Sequence, residues 1–413
     1  MKKILIHSIA FSPDGVSTAY LYNDISIKFK EAGYEVVVLT TTPHYNIVAD
    51  ELKKQPLTPI MFGLFYKSCF YDIPVIHVPQ KKFNSSVLRM FGFVYWHIMS
   101  FFIGLFQRHV DVIISPSPPL TLGLMNIILG KIKKAKVIYN VQEIYPDLLI
   151  EEGGLKSKTI IRLLKKLERF VYNHSDAVTT IDQVFYDTIV NRIEDQSKLH
   201  VIPNFVDTSL YKPNDCEGKV SPFLASSTSL KLMYAGNIGH AQDWVTLIKL
   251  AIKMKTDDVE FFIIGEGVMK QYLDTEIRKH HLIKVHLIPY QARHLMPDMV
   301  ACADIQFIFM SSHTEGHGFP SKVYTIMACA KPLLVCSGPN TPIINFLSGK
   351  SCSILITEKN VAKKVEEIAT KLRDINRESL VEMGRNGYEH VMQFYTKEHV
   401  TSQYLELINK IVQ

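Results

Sequence analysis

Short apolar runs alternate with helical patterns along most of the chain. In the first half these runs are rich in β-branched residues and are bounded by turn residues, which is typical of parallel strands buried on both faces. A helix is expected from about Ser17 to Gly33, where glycine favours a helix end. The predicted strands of the first half are Lys3–Ser8, Glu35–Thr40, Val75–Val78, Val110–Ser115, Lys136–Asn140, Asp176–Ile181 and Leu199–Ile202.

The same alternation restarts after a polar stretch, Asn214–Ser229, that is rich in Ser, Gly and Pro. The predicted strands of the second half are Leu230–Ala235, Val259–Ile264, Val285–Ile288, Asp304–Phe309, Pro332–Cys336 and Ser353–Ile356. Strand-helix-strand connections build parallel sheets and place ligand sites at the carboxyl ends of strands. The pattern therefore predicts an α/β protein whose two Rossmann-like domains, 1–203 and 204–395, face each other across a cleft. The final helix, within 396–413, is expected to pack back on the first domain.

The composition is that of a folded protein with a modest positive charge. The 413 residues are 47% hydrophobic and 21% charged, which excludes a disordered chain and allows two or three domains. The net charge of +6 does not indicate a nucleic-acid partner, and most of the excess lies in the first half. Six scattered cysteines without CxxC or zinc spacing predict reduced thiols in a cytoplasmic protein.

Three predicted strand-to-helix corners carry glycine. They are FSPDGVST with Gly15, YAGNIG with Gly236 and Gly239, and FIIGEG with Gly265 and Gly267. Glycine lets a backbone approach a ligand closely, and the helix start behind it offers free N–H groups, so such corners suit phosphate. For each corner taken alone, a tight turn without a ligand is the favoured interpretation. No complete dinucleotide fingerprint or P-loop is present.

The segment GHGFPSK places a lysine where a helix should begin. Pro320 is favoured at a helix start, which puts Ser321 and Lys322 in the first turn. A cation there is electrostatically unfavourable, and a bound pyrophosphate would reverse that penalty. The alternative is a solvated surface lysine, against which the flanking glycine and proline weigh.

The block GFPSKVYTIMACAKPLLV resembles the donor-binding block of family-4 retaining glycosyltransferases, which have the GT-B fold. Further blocks agree in order and are similar to WbuB-type transferases of bacterial polysaccharide assembly: FSPDGVSTAYLYNDISIKFKEAGYEVVVLTTTPHY, VIYNVQEIYPDLL, HVIPNFVD, MYAGNIGHAQDWVTLI, FFIIGEG and ACADIQFI. The resemblance implies a nucleotide-sugar donor, expected to be a UDP-sugar, on the second domain. It also implies a glycan or lipid-linked acceptor on the first domain and no cofactor.

Carried over residue by residue, the resemblance assigns most donor contacts to the second domain. Lys322 would contact the diphosphate, and Gly15 of the first domain would close against it. Tyr290 would lie beside the base, unless it is a buried core tyrosine. The remaining donor contacts would come from Gly236, Asn237, Gly239, Gly265, Glu266, Gly267, Gly318 and Ser321.

Three family positions are substituted here. His317 and Thr325 stand where the family often has two glutamates, the second on the ribose, and a threonine hydroxyl accepts fewer hydrogen bonds than a carboxylate. Gln142-Glu143 stands where many members have His-Asp or His-Glu. Gln142 and His317 would reach the donor sugar, whereas Glu143 binds sugar or acceptor, or caps the following turn.

The absence of a DxD motif indicates a metal-independent reaction in which Lys322 meets the leaving-group charge. No carboxylate is an obvious nucleophile for double displacement, so front-face transfer with retention is favoured, the departing phosphate helping to deprotonate the acceptor. Asp14 would assist, or it belongs to an ordinary turn. Two other functions stay open: a nucleotide-sugar epimerase using His7, His44, His240 or His317, and a non-catalytic GT-B subunit.

Two segments of the first half bear on membrane attachment. Met90–Phe106 lacks formal charge and is a packed helix, a surface helix dipping into lipid, or, less in keeping with its length, a membrane span. Leu155–Tyr172 has an apolar stripe beside a basic face, which suits an anionic bilayer or a solvated surface. We therefore expect a cytoplasmic protein attached peripherally to the inner face of the membrane.

Overall fold

The computed structural model describes residues 2–47, 49–80, 85–151, 153–214, 228–291, 293–315 and 320–412. The chain forms two compact α/β units. The first extends to Asn204 and includes the C-terminal residues from Glu398 onward, and the second runs from Phe205 to Lys397. The parallel sheets of both units confirm the predicted fold class.

The described part of the first unit contains a nine-stranded sheet in the order β3-β4-β5-β2-β1-β6-β7-β8-β9. All pairings are parallel except those of β3 with β4 and β4 with β5. The strands are β1 (Lys3–His7), β2 (Glu35–Thr41), β3 (Thr58–Ile60), β4 (Phe65–Phe70), β5 (Ile73–Val78), β6 (Val112–Pro116), β7 (Lys136–Val141), β8 (Ala177–Thr180) and β9 (Leu199–Val201).

Strands β3 and β4 are not predicted by the hydrophobic pattern. Their residues are mostly half-buried or exposed, whereas β1 and β2 are almost wholly buried. An antiparallel edge strand can leave one face in water, so it lacks the continuous apolar run that reveals a central parallel strand.

Helices cover both faces of the first sheet. They are α1 (Ser17–Glu31), α2 (Ala49–Lys54), α3 (Ser86–Phe106), α4 (Leu120–Lys133), α5 (Asp147–Glu151), α6 (Lys158–His174) and α7 (Gln183–Ile189). On one face α3 packs beside α4, and α4 beside α6. The last helix of the chain, Lys397–Val412, returns to this unit, where Tyr404 is buried and Asn409 accepts a hydrogen bond from the Tyr34 hydroxyl.

The described part of the second unit contains six parallel strands in the order β12-β11-β10-β13-β14-β15. The strands are β10 (Leu230–Ala235), β11 (Val259–Ile264), β12 (Val285–Ile288), β13 (Ile305–Phe309), β14 (Leu333–Cys336) and β15 (Ser353–Ile356). The helices are α8 (Trp244–Lys253), α9 (Lys270–Lys279), α10 (Met296–Ala301), α11 (Lys322–Ala328), α12 (Pro342–Leu347), α13 (Val361–Asp374) and α14 (Arg377–Phe394), with α15 (Lys397–Val412) following. Ala235 pairs with Ile264, so the glycine corners after β10 and β11 lie side by side at the carboxyl edge.

The described cysteines are not all in one redox state. Cys69, Cys329, Cys336 and Cys352 are free, as expected. Cys302 is disulfide-bonded, so the expectation that all six are reduced is wrong at this residue.

Candidate active site

The glycine corners after β10 and β11 are packed directly against each other. Gly236 and Gly265 have φ angles of +151° and +148°. A Cβ on Gly265 would lie 1.9 Å from the Gly236 carbonyl oxygen, and the Gly236 N–H donates to the Ile264 carbonyl at 2.9 Å. Neither the backbone angle nor the spacing admits a side chain at Gly265, so this corner requires glycine.

The residues that follow Gly236 and Gly265 in the two corners are also in close backbone contact. A Cβ on Gly267 would lie 2.3 Å from the Ile238 carbonyl oxygen. The Ile238 N–H donates to the Glu266 carbonyl at 2.9 Å, and the indole N–H of Trp244 donates to the Gly239 carbonyl at 2.8 Å. The two corners therefore form one rigid backbone surface at the strand ends.

The side chain of Lys322 lies against this surface. Lys322 is the first residue of α11, and its Nζ is 4.0 Å from the centre of the Tyr234 ring. A Cβ on Gly236 would lie 2.7 Å from the same Nζ. The ammonium thus occupies the space that the missing side chain of Gly236 leaves open. The Tyr234 hydroxyl donates to the Asn237 carbonyl at 2.8 Å, which ties the ring below the lysine to the same corner.

The ammonium of Lys322 has no carboxylate partner among the described residues, where it contacts the face of the Tyr234 ring. Burial lowers the pKa of Lys322 from 10.5 to about 7. A desolvated cation is costly unless an anion is placed beside it, and such an anion would raise the pKa again. The geometry can therefore accept an anionic ligand at this point.

The remaining second-unit candidates differ in their surroundings. Glu266 forms an exposed ion pair with Lys270 at 2.6 Å, and its pKa is lowered mainly by that hydrogen bond and less by the Tyr290 backbone N–H. Tyr290 is 58% exposed, so the alternative of a buried core tyrosine is wrong. Ser321 is exposed and directly precedes α11, and Thr325 is half-buried one turn later. His317 and Gly318 lie outside the described residues.

In the first unit, Asp14 is a buried carboxylate that binds its own backbone. It is 2% exposed, and its Oδ1 accepts the N–H groups of His44 and Tyr45, both at 2.8 Å. Its Oδ2 has no partner among the described atoms, and burial raises the pKa of this carboxyl group. Gly15 follows, where a Cβ would lie 2.5 Å from the Asn46 carbonyl oxygen. Asp14 therefore holds the segment 44–46 against the glycine corner.

Gln142 is engaged within the first unit. Its Nε2 donates to Asn140 Oδ1 at 2.7 Å and to Asn204 Oδ1 at 3.1 Å, and its Oε1 accepts from Asn204 Nδ2 at 3.0 Å. The backbone N–H groups of Gln142 and Glu143 both donate to the Ser117 hydroxyl oxygen. Glu143 itself is exposed. The amide donors of Gln142 are therefore already used, which leaves only acceptor capacity for a further ligand.

Three contributors to these arrangements are not evident from the sequence. Tyr234 lies beneath Lys322, Ser117 holds the 142–143 backbone, and Asn204 pairs with Gln142. The only feature of the sequence that points to Tyr234 is its position two residues before Gly236. Its contact with Lys322 joins positions 88 residues apart and depends on the fold.

Two α/β units with parallel sheets, with glycine corners at the strand ends, are the architecture of the GT-B fold. The crystal structure of Anabaena HepE in complex with UDP superposes on the chain with a TM-score of 0.73. The two proteins are 14% identical, and the superposition covers 99% of this chain and 100% of HepE. The likeness shows the fold alone.

The family follows from the sequence matches. Residues 22–210 match the model described as Glycosyltransferase Family 4, and residues 221–390 match the model described as Glycosyl transferases group 1. The chain belongs to the family-4 glycosyltransferases, and it is a glycosyltransferase.

Two curated relatives share this relationship. The putative colanic acid biosynthesis glycosyl transferase WcaI of Escherichia coli strain K12 is 21% identical over 341 residues, which cover 79% of this chain and 81% of WcaI. The probable glycosyltransferase WbjE of Pseudomonas aeruginosa is 24% identical over 246 residues, which cover 55% of this chain and 57% of WbjE.

Proposed function

We propose that this glycosyltransferase moves a sugar from a UDP-sugar to a glycan or lipid-linked acceptor, with retention and without a metal ion. The observation that carries the proposal is the Lys322 ammonium, which lies in the space opened by Gly236 without a carboxylate partner among the described residues. A nucleoside diphosphate supplies the missing anion. The glycine corners allow its phosphates to approach the backbone closely.

The other second-unit residues take the donor roles that the family resemblance implies. The backbone of 236–239 and 265–267 lines the phosphates and nucleotide, with Asn237 and Glu266 at their sides. We assign base stacking to Tyr290, which is exposed and hydrogen-bonds Glu266 through its N–H. Gly318 and Ser321 flank the diphosphate, Thr325 contacts the ribose, and His317 contacts the sugar.

The choice of uridine as the base is supported by relatives of the fold. HepE was crystallised with UDP, with UDP and glucose, and with UDP-glucose. The choice of a polysaccharide acceptor is supported by WcaI, whose description places it in colanic acid biosynthesis. Both properties belong to those proteins and are proposed for this one.

The proposed reaction uses the charge of Lys322 at the leaving group. The bond from the anomeric carbon to the β-phosphate oxygen breaks while the acceptor oxygen forms a bond on the same face of the sugar. The acceptor proton passes to the departing phosphate oxygen. Protonated Lys322 stabilises the negative charge that develops on that phosphate.

The first unit is proposed to serve the acceptor and the sugar. Glu143 is exposed at the end of β7 and can accept a hydrogen bond from a sugar or acceptor hydroxyl. Gln142 can contribute its remaining acceptor capacity. Asp14 assists by holding the Gly15 corner in place.

The rival epimerase function needs histidines that can exchange protons with a sugar. His7 cannot do so, because it is completely buried, its Nδ1 is hydrogen-bonded to Asn126 Oδ1 at 2.7 Å, and burial lowers its pKa to about 4. This observation removes one of the four histidines on which the epimerase alternative relies.

The decisive experiment compares Lys322→Ala with Lys359→Ala, an exposed lysine of the same unit. We expect Lys322→Ala to lose the UDP-induced rise in melting temperature and to reduce sugar transfer by about a thousandfold or more, since transition-state charge stabilisation is worth several kcal/mol. Lys359→Ala should match the parent. Near-normal UDP binding and turnover by a folded Lys322→Ala protein would remove the proposed role of the lysine.

The stereochemistry and the metal requirement are separate readouts of the same assay. The anomeric configuration of the product, followed by NMR, should equal that of the donor, and turnover should persist in EDTA. Inversion or complete loss of activity in EDTA would overturn these parts of the proposal. Binding of UDP-sugars with neither transfer nor hydrolysis would identify a non-catalytic subunit.

A further inference from the structure

An exposed apolar surface runs along α3 of the first unit. In the described part of the chain, one helical segment, Leu88–Phe106, is long and apolar enough to cross a membrane, and 22% of it is buried. Its outward positions carry no charge from residue 90 to residue 106. The exposed large apolar side chains of this helix are Leu88, Met90, Phe91, Val94, Tyr95, Ile98, Phe102 and Phe106. The outward stripe of a surface helix is normally polar, so this pattern is reversed.

The opposite face fixes α3 to the first unit. Trp96 is fully buried, and a Cβ on Gly104 would lie 2.9 Å from Leu129 Cδ1 of α4. His97 Nε2 lies 2.9 Å from the Thr121 hydroxyl, again on α4. Because α3 is packed in this way, it does not leave the fold to span a bilayer. It presents one apolar stripe and keeps the other face in the core.

The turn between β3 and β4 extends the same surface. Met61 is 64% exposed and Phe62 is completely exposed, and both have left-handed φ angles, +47° and +57°. The Tyr95 hydroxyl of α3 donates to the Leu64 carbonyl at 3.2 Å, which joins the turn to the helix. Bulky residues rarely adopt such angles, and both side chains nevertheless remain exposed in the folded unit. The α3 stripe together with Met61, Phe62 and Leu64 is called the outer apolar face.

The chain segment that carries α3 and α4 is rich in cations and nearly free of acidic residues. Residues 86–136, which contain α3 and α4, carry a single acidic residue, Asp111. The basic residues of that range are Arg89, Arg108, Lys131, Lys133, Lys134 and Lys136. On α6, beyond α4, Ile160 and Leu163 are exposed beside the exposed cations Arg162 and Lys166. The apolar stripe of α6 is therefore left uncovered at Ile160 and Leu163.

We infer that the outer apolar face docks on an anionic lipid bilayer, with Phe62, Phe91 and Phe102 entering the interface and the cations of α4 and α6 contacting lipid phosphates. Apolar side chains beside a basic surface are the combination that binds such bilayers. A second copy of the chain is a poorer occupant, because its equally basic surroundings would repel. The inference draws its rationale from the proposed lipid-linked acceptor and identifies the surface that brings the protein to it.

Flotation of the purified full-length protein with vesicles tests the inference without donor or acceptor. We expect binding to phosphatidylcholine vesicles containing phosphatidylglycerol and much weaker binding to pure phosphatidylcholine. The triple variant Phe62→Ser, Phe91→Ser, Phe102→Ser should partition at least tenfold less. Arg162→Gln with Lys166→Gln should weaken binding several-fold, and only to the anionic vesicles.

The matched controls are Ile283→Ser and Val381→Ser, which alter exposed apolar residues of the second unit and should bind like the parent. Equal partition of the triple variant and the parent would overturn the inference. So would a parent dimer that the triple variant converts to a monomer, since a second copy would then be the occupant. UDP binding by the same proteins separates the two proposals, because it should be unchanged in every variant whatever the vesicles show.

Discussion

The carboxyl edges of the two sheets differ in whether their polar and charged side chains have partners within their own unit. In the second unit, glycine corners leave space, and the ammonium of the half-buried Lys322 in that space lies over the Tyr234 ring with no carboxylate partner among the described residues. In the first unit, the polar side chains at the strand ends are bonded to their own unit. Asp14 accepts two backbone N–H groups, and Gln142 makes three hydrogen bonds with Asn140 and Asn204.

This difference in partners indicates at which carboxyl edge a ligand would be stabilising. A buried polar group with partners stabilises its own fold, whereas a buried charge without one makes the unliganded state less favourable. The first edge is therefore preorganised without substrate. We propose that an anion completes the second edge, so that relief of the desolvation cost adds to donor affinity.

Among the variants that test this difference between the two edges, Gly236→Ala is expected to have the largest effect. The new Cβ would lie 2.7 Å from Lys322 Nζ at a backbone angle of +151°, so the ammonium must move out of its place. We expect UDP-glucose affinity, measured by calorimetry, to fall roughly ten- to a hundredfold, because a charge-assisted hydrogen bond is worth about 1.5–3 kcal/mol.

Gly349→Ala is the matched control for that variant. Gly349 also has a positive φ angle, +77°, but nothing lies within 4 Å of the place that the new methyl group would take. It should lose about 1–2 kcal/mol of stability from backbone strain alone and bind UDP-glucose normally. Equal loss of affinity in both variants would mean that general destabilisation, not displacement of Lys322, is responsible.

The pH dependence of donor binding tests whether the charge of Lys322 distinguishes the second edge. With the pKa of free Lys322 at about 7, the ammonium is protonated at pH 6.5 and mostly neutral at pH 8.5. UDP-glucose affinity should therefore fall by roughly tenfold between these values, with proton uptake on binding near pH 7.5. UDP-glucose is the suitable probe because its diphosphate diester does not titrate in this range.

The stability of the unliganded protein should rise with pH, whereas UDP-glucose affinity falls with pH. Because the folded pKa is lowered from 10.5 to about 7, the unfolded state binds the extra proton between these values, and this contribution to stability rises with pH. Lys322→Met should remove both trends and melt at a slightly higher temperature than the parent at pH 6.5. A parent affinity that is flat from pH 6.5 to 8.5 would contradict the proposed charge of the site.

The strands that could be read from the sequence are those with continuous apolar runs. All six strands of the second sheet and seven of the described first-sheet strands have such runs, because a parallel strand is buried on both faces. Strands β3 and β4 could not be predicted in this way because they form a half-exposed antiparallel edge of the sheet. The apolar side chains of the turn between them were equally absent from the pattern, whereas the α3 part of the outer apolar face was visible as the uncharged segment Met90–Phe106.

The candidate site could be predicted only in part. Glycines and a lysine at strand-to-helix corners are local signals, so Gly236, Gly265 and Lys322 could be singled out. The exact partners could not, because Tyr234 meets Lys322 and Asn204 meets Gln142 only after the chain folds. Whether a side chain is engaged by its own unit or left for a ligand is a property of tertiary contacts.

Asp14 gives the smallest expected effect and tests the first-unit side of the contrast. Asp14→Ala leaves the N–H groups of His44 and Tyr45 without their acceptor, which should cost about 1–3 kcal/mol of stability and release the Gly15 corner. Asp14→Asn keeps the Oδ1 acceptor, so transfer by this variant should stay within about threefold of the parent if positioning is the main role. Melting curves and transfer rates of the two variants separate the roles. A folded Asp14→Asn protein as inactive as Asp14→Ala would assign the effect to the carboxylate charge and its proton at Oδ2, and the first edge would then take part in the chemistry itself.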